Sequence, residues 1–412
     1  MGCINSPTTD ANKALLGGQV NTWKGEAVEE VLLSTTLEDY MTAQDGFYNF
    51  ELPIEEAYTV TPQKNHNPLN GVSTFDLVMM TKHILEIQPF NNPYQWIAAD
   101  VNRSKTVTAF DLVLLRKMIL AIDTQFTNNT SWRFVDADYE FRTTNPLTEE
   151  FPEKGHVSKL TSNTVMDFIA VKIGDINGSV KANSLQQAAP RSSNKVFEIE
   201  IVDQFLKAGQ IYDIPFHAKE INKLQGYQLT LNTKDVEIEK VNGDLMTTEN
   251  FGLNDLDAGR LTVSWNQQPN YLISEEKLFT IQLQAIQDSR LSNVLQLNNR
   301  PTIAEAYDLE NNIIDVHLKF TNSENTTDFD LEQNQPNPFR NQTSIGYTLS
   351  SSSPVELVLR DEAGRVIQVI KQDGKSGYNI IPLNELETAP VFIYYQLITK
   401  FGTKSKKMIR VE

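Results

Sequence analysis

The chain has 412 residues, with 36 basic and 53 acidic side chains, a formal net charge of −17 and a pI near 4.8. That length exceeds one small core and predicts roughly two to four domains. The acidic balance speaks against general nucleic-acid binding, which wants a basic face. The lone cysteine, Cys3, leaves no disulfide within the chain, and no apolar run approaches the ~20 residues that span a bilayer.

Residues 1–13 read as an irregular N-terminus. Met1-Gly2-Cys3-Ile4-Asn5-Ser6 formally fits a myristoylation pattern but lacks the apolar stretch of a secretory signal. Later segments point to export, so the expectation is a true beginning upstream of Met1.

Residues 14–63 are expected to form a small β-sandwich. Val28 to Leu33 is rich in β-formers, Phe47 to Leu52 alternates after the Asp45-Gly46 turn, and Tyr58 to Thr61 alternates again. The string Asp45-Gly46-Phe47-Tyr48-Asn49-Phe50, with Pro53 and Tyr58-Thr59-Val60, resembles carboxypeptidase regulatory-like or collagen-adhesin B-type repeats. That resemblance implies a spacer. Phe47, Tyr48 and Phe50 are read as packing residues.

Residues 64–125 contain a duplication. Val72-Ser73-Thr74-Phe75-Asp76-Leu77-Val78 aligns with Val107-Thr108-Ala109-Phe110-Asp111-Leu112-Val113 at a constant offset of 35 residues. Each half reads as a polar loop feeding an amphipathic helix. Ser73 and Thr108, each followed three residues later by Asp, form a capping-box pattern at the helix start. The second loop sets oxygens at alternating positions: Asp100, Asn102, Ser104, the carbonyl of Thr106, and Asp111 as twelfth residue. Ca²⁺ takes six to eight such oxygens from a loop of this length. In the first loop the candidate ligands are Asn65, Asn67 and Asp76.

These paired halves resemble a type I dockerin across Asn65 to Leu120. The resemblance implies two loop–helix calcium half-hands that dock on cohesin domains. Phe75, Phe110, Lys82 and Lys117 are the candidate partner-binding residues, with packing of the helix pair as the plainer reading of the two phenylalanines. The family favours Asp at the fifth loop position and Gly at the sixth. The second loop has Ser104 and Lys105 there, and the first has Leu69 and Asn70. Leu69 cannot coordinate, so Ca²⁺ is expected in the second loop, while Asp76 is expected simply to cap its helix.

Residues 126–183 read as an associated β/loop extension, with a strand over Phe168 to Ile173. The arrangement resembles one that follows the helix pair in dockerin-bearing surface proteins of the Bacteroidota. Asp175-Ile176-Asn177-Gly178-Ser179 again alternates oxygens, as a third, incomplete cation loop would, although Asn-Gly is foremost a turn signal. A linker at 184–194 precedes an all-β segment, 195–320, whose strands alternate strictly over Val196 to Val202, Gln225 to Leu231, Leu261 to Trp265 and Leu278 to Leu283. The stretches Gly226 to Leu231, Asn250-Phe251-Gly252, Gly259 to Trp265 and Lys277 to Ile281 resemble a cohesin-like sandwich. Related sandwiches bind sugars; Trp265 is the stacking candidate, with core packing as the alternative.

A second linker, 321–330, leads to residues 331–412. Pro336-Asn337-Pro338-Phe339, the Gly364-Arg365 turn and Lys406-Lys407-Met408 recur in the order seen in the C-terminal sorting domain of type IX secretion cargo, which this segment resembles. The resemblance makes the sorting signal of Pro336, Asn337, Pro338, Phe339, Lys406 and Lys407 a handle for the secretion machinery. The basic strand residues also serve to resist edge pairing.

The histidines, His66, His83, His156, His217 and His317, show no zinc spacing. No nucleophile elbow, phosphate loop or Rossmann glycine pattern occurs. The fold class expected is multidomain and mainly β, several β-sandwiches with one small α-helical dockerin-like module. The function expected is a non-catalytic exported or cell-surface protein, the C-terminal part of an adhesive or scaffolding chain. It would dock on a cohesin-like partner, within the chain (its own 195–320 module) or head to tail. The alternative is an accessory part of a polysaccharide-degrading enzyme with glycan-binding sandwiches.

Overall fold

The computed structural model describes residues 12–185, 195–267, 277–322, 329–384 and 390–411. The irregular start up to residue 11 and most of both expected linkers lie outside them. The chain is mainly β with a small helical region.

The first unit has β1 (Lys13–Thr22), β2 (Leu32–Ser34), β3 (Asp39–Met41), β4 (Phe47–Pro53) and β5 (Tyr58–Gln63). After the helices come β6 (Trp132–Asp136), β7 (Gly155–Val157), β8 (Thr164–Val165) and β9 (Phe168–Lys172). One sheet runs β4-β1-β9-β6 with β8 beside β1, and the other runs β3-β2-β5-β7. A single core joins Leu16, Val20, Phe50 and Val60 to Phe134, Phe168 and Leu160. The sandwich therefore draws strands from both sides of the helical module, which is inserted between β5 and β6. The sequence reading separates 14–63 from 126–183 because strands that pair across such an insertion leave no local signal.

The inserted helices are α1 (Thr74–Ile84), α2 (Pro93–Ala99) and α3 (Ala109–Ile119). Both expected capping boxes form, Ser73 with Asp76 and Thr108 with Asp111. α2 is not anticipated by the sequence reading; Asn92 caps it and Pro93 supplies a pre-set first turn. Leu77, Met80, Leu115 and Ile119 pack with Val135, Val171 and Ile173. Strands β6 and β9 thus serve two cores, with Phe134, Phe168 and Ala170 turned to the sandwich.

The second unit comprises β10 (Val196–Asp203), β11 (Phe205–Leu206), β12 (Ile211–His217), β13 (Leu224–Thr233), β14 (Val236–Gly243) and β15 (Phe251–Gly252). It continues with β16 (Arg260–Asn266), β17 (Lys277–Ala285), β18 (Ser289–Arg290), β19 (Leu295–Asn298), β20 (Glu305–Asp308) and β21 (Ile313–Asn322). The main sheet runs β14-β17-β12-β10-β21-β20-β13-β16-β15, with β19 beside β13. It folds over one core, so that Phe251 on β15 meets Phe279 on β17 with ring centroids 5.5 Å apart. The first and last long strands, β10 and β21, pair in parallel.

The third unit packs β22 (Phe329–Leu331), β23 (Thr343–Leu349) and β26 (Gly377–Leu383) against β24 (Ser353–Arg360), β25 (Val366–Gly374), β27 (Phe392–Thr399) and β28 (Gly402–Ile409).

Candidate docking surface and cation loops

Strands β13 and β16 alternate as the sequence predicts. Tyr227, Leu229, Leu231, Leu261, Val263 and Trp265 enter the core, so Gln228, Thr230, Thr262, Ser264 and Asn266 should face water. All five of these polar residues are instead buried. Helix α1 and the C-terminal end of α3 cover them.

Buried polar groups must be paired, and these are. Gln228 Oε1 accepts from the Thr74 backbone N–H at 2.6 Å, and the Thr74 and Ser264 hydroxyls lie 2.7 Å apart. Asn266 accepts from Arg116 Nη2 at 2.5 Å and donates to Thr81 Oγ1 at 3.2 Å. The last carbonyls of α3 are capped from the second unit: Thr302 Oγ1, in the loop before β20, donates to Ile119 O at 2.5 Å, and Thr262 Oγ1 on β16 donates to Leu120 O at 2.7 Å. Such carbonyls have no partner within their own helix. At the edge, the Phe75 ring rests on Tyr307 with centroids 5.3 Å apart.

Of the four predicted partner-binding residues, Phe75 lies in this contact. Phe110 is 59% exposed, Lys117 is exposed and Lys82 is half-buried. Sequence reasoning misses Thr74, Thr81, Arg116 and the whole polar strand face, because a Thr/Gln/Ser row on alternate strand positions reads as a wet surface.

In the second cation loop, Asp100 and Asp111 are both buried. Asp100 Oδ1 accepts from Ser104 N at 2.8 Å, and its Oδ2 accepts from Lys105 N at 3.0 Å. Asp111 Oδ1 accepts from Asn102 N at 3.3 Å, and its Oδ2 accepts from Thr108 N at 2.9 Å. The loop wraps so that Asn102 Oδ1 and the Thr106 carbonyl also meet Ser104, through its N–H and hydroxyl respectively. Burial pushes the Asp100 carboxyl up, against the pull of those two N–H bonds. Two carboxylates, an amide oxygen, a hydroxyl and a carbonyl are the hard oxygen donors Ca²⁺ selects.

The first loop differs from expectation. Asn65 Oδ1 accepts from Ser131 N at 2.8 Å, and Asn67 sits in a left-handed turn at φ 51°. Around Asp76 stand Ile176 and Asn177, whose N–H groups donate to its Oδ1 at 2.8 and 3.3 Å. Asp76 is fully buried, and burial followed by the nearby Asp175 carboxylate pushes its pKa up. Burial likewise raises Asp175, to about 6, and lowers Lys172, to about 7. Among the described residues no three of His, Cys, Asp and Glu gather as a metal group; each loop offers two carboxylates and neutral oxygens.

In the third unit, Asn337 and Phe339 join the end of the last strand. Asn337 Oδ1 accepts from Ile409 N at 2.9 Å, and Phe339, buried, exchanges backbone hydrogen bonds with Ile409 and Val411. Lys406 and Lys407 are exposed on β28, with Lys407 Nζ 4.8 Å from the Phe392 ring. Trp265, the sugar-stacking candidate, is buried with its ring 5.7 Å from Tyr227. No helix among the described residues is long and apolar enough to cross a membrane.

Residues 70–120 match the dockerin type I domain family, whose members generally bind calcium. No curated protein matches the chain. Among solved structures it is similar to a chain of a type I cohesin–dockerin complex from Clostridium thermocellum, at 14% identity over 32% of this chain and 94% of that one, with a TM-score of 0.24. It is also similar to the type II cohesin dyad of the ScaA scaffoldin of Acetivibrio cellulolyticus, at 10% identity, 51% and 92% coverage and a TM-score of 0.23. A ScaB type I cohesin from Pseudobacteroides cellulosolvens follows at 14% identity, 31% and 89% coverage and a TM-score of 0.23.

Proposed function

We propose that this chain is a non-catalytic docking and scaffolding protein whose dockerin-type helix pair is seated on the cohesin-like sandwich of the same polypeptide. The observation that carries this is the polar face of β13 and β16, buried beneath α1 and α3 and paired with them through Gln228, Thr262, Ser264 and Asn266. A strand row of Gln, Thr, Ser and Asn that evolved for water would not match its cover donor for acceptor. The Asp100–Asp111 loop holds Ca²⁺ in this reading and fixes the start of α3. The third unit acts as a type IX sorting domain that directs export to the cell surface; the joining of its Pro-Asn-Pro-Phe opening to the basic last strand supports that role.

The test is a protease site introduced within residues 186–194 of the full chain. After cleavage in calcium, the two pieces should co-elute on size exclusion at micromolar concentration. Separation of the pieces under those conditions would sink the intramolecular docking.

A further inference from the structure

The buried carboxylate of Asp76 has partners that the first dockerin half does not itself supply. They come from Asp175 to Val180, about a hundred residues downstream. Set beside the second loop, this segment repeats most of its hydrogen bonds, the exception being Ile176 N, which donates to Asp76 Oδ1 where Val101 N donates to Ala99 O. Ser179 N donates to Asp175 Oδ1 at 2.9 Å, as Ser104 N does to Asp100 Oδ1 at 2.8 Å. Val180 N donates to Asp175 Oδ2 at 2.9 Å, as Lys105 N does to Asp100 Oδ2 at 3.0 Å. Ser179 N also meets Asn177 Oδ1 at 2.9 Å, as Ser104 N meets Asn102 Oδ1 at 3.0 Å.

The equivalence continues across the break. Ser179 Oγ donates to the Gly71 carbonyl at 3.0 Å, where Ser104 Oγ donates to the Thr106 carbonyl at 3.2 Å. Asn177 N points at Asp76 Oδ1 as Asn102 N points at Asp111 Oδ1, at 3.3 Å in both. Asp76 Oδ2 accepts from Ser73 N as Asp111 Oδ2 accepts from Thr108 N, at 2.9 Å in both.

We infer that Asp175, Asn177, Ser179, the Gly71 carbonyl and Asp76 form a second calcium site, a loop built from two segments in place of one continuous stretch. Asp175–Val180 supplies the first half and Gly71–Asp76 the second, where Asp100–Asp111 runs unbroken. The seam is tight. Asn70 Nδ2 donates to Lys181 O at 2.9 Å, and Lys181 N donates back to Asn70 Oδ1 at 3.2 Å. A Cβ on Gly71, which has φ +79°, would lie 2.6 Å from Val180 Cα, so only glycine lets the strands of the loop close.

Two observations besides the loop geometry point to a cation. The family match covers residues 70–120 and so contains Asp76 and the helix that follows it, but lacks an N-terminal ligand segment for the first half-hand. Asp76 and Asp175, both buried, share this site, and among the described residues no salt bridge reaches either. The adjacent buried Lys172 attracts both carboxylates, but its ammonium donates to the carbonyls of Pro68 and Ile173, at 2.6 and 3.1 Å, and it brings one positive charge to two negative ones. Two buried carboxylates beside a single ammonium remain short of positive charge, and a divalent cation on their remaining lone pairs supplies it.

The inference rests on the calcium reading of the Asp100–Asp111 loop, and the experiment separates the two. The full chain is stripped with chelator, and calcium is returned at about 5 mM, above the ~10⁻⁴–10⁻³ M dissociation constants of extracellular calcium modules. Native mass spectrometry counts the ions, and hydrogen exchange follows the loops. Two ions per chain are expected, with segments 71–76 and 175–180 gaining protection together. Asp175→Asn, which keeps the shape and one acceptor, and Asn177→Ala, at a half-buried position, should each reduce the count to one and leave the response of 100–111 unchanged. One ion in the parent chain, lost in Asp111→Ala, would overturn the split site and preserve the second loop. Two ions retained in both the Asp175→Asn and Asn177→Ala variants would also overturn it. No ion at all would remove both.

Discussion

Arg116 and Asn266 meet across the boundary between α3 and β16, the guanidinium Nη2 donating to the side-chain carbonyl at 2.5 Å. Arg116 is buried, its Nε has no partner among the described residues, and burial lowers its pKa although Glu249 pulls it the other way. Asn266 is thus the acceptor a buried cation depends on, and its amide also holds Thr81. Asn266→Ala should cost about 1–3 kcal/mol at this contact. Hydrogen exchange of α1 and α3 amides should quicken about tenfold for each ~1.4 kcal/mol lost. Exchange unchanged in both helices would show that the contact carries no weight.

Gly252 offers a steric probe of the same boundary. A Cβ there would lie 2.2 Å from the Leu120 carbonyl and 2.1 Å from Thr262 Oγ1. Gly252→Ala should therefore lift the end of α3 without touching the apolar core. Once the 186–194 segment is cut, the variant's pieces should part on size exclusion at concentrations where the parent's stay together. Co-elution of the variant would mean that α3 does not sit against β15.

On the proposed function, Asp111 has two duties that calcium separates. Its Oδ2 completes the capping box with Thr108, and its Oδ1 belongs to the cation loop. Asp111→Ala should lose about 0.5–2 kcal/mol in chelator, from the cap alone. In calcium the gap from the parent chain should widen, because the ligand is lost as well. Thermal unfolding followed by circular dichroism, with and without calcium, reads both numbers. An equal gap in the two conditions would deny the loop its ion.

Acid should loosen the second unit through Asp308. Burial pushes this carboxyl up, but the Asn312 backbone and side-chain N–H groups and the Lys195 ammonium outweigh it and hold the pKa at about 2. An unfolded Asp titrates near ~3.9. The stabilisation is therefore fully present above about pH 4 and is lost as the pH falls toward about 2. Denaturant titrations across that window should show a shallower pH slope in Asp308→Asn. An identical slope would place the acid sensitivity elsewhere.

Much of this was legible in the residues. The Phe-Asp-Leu-Val duplication marked both helices and their caps. Strict alternation from Gly226 to Leu231 and from Leu261 to Trp265 marked two central strands and their core faces. The partner of the first loop was harder to see because Asp76 and Asp175 are joined only by folding. The repeated Asp-x-Asn-x-Ser in Asp100–Ser104 and Asp175–Ser179 was the available signal, and Asn-Gly inside the second copy drew the reading toward a simple turn. The docking face was hidden for a different reason. Alternation reports which side of a strand is polar, and a polar side can be covered by a complementary surface as well as by water.

The parallel pairing of β10 and β21 has a mechanical consequence. Val196 lies opposite Asp315 and Asp203 opposite Asn322, so the polypeptide enters the sandwich at one end of this ribbon and leaves at the other. Tension applied through the flanking segments would load the inter-strand hydrogen bonds in shear, all at once, instead of opening them in sequence like a zipper. Resistance to forced unfolding is a matter of rate, and this geometry sets the β10–β21 ribbon directly on the line of pull.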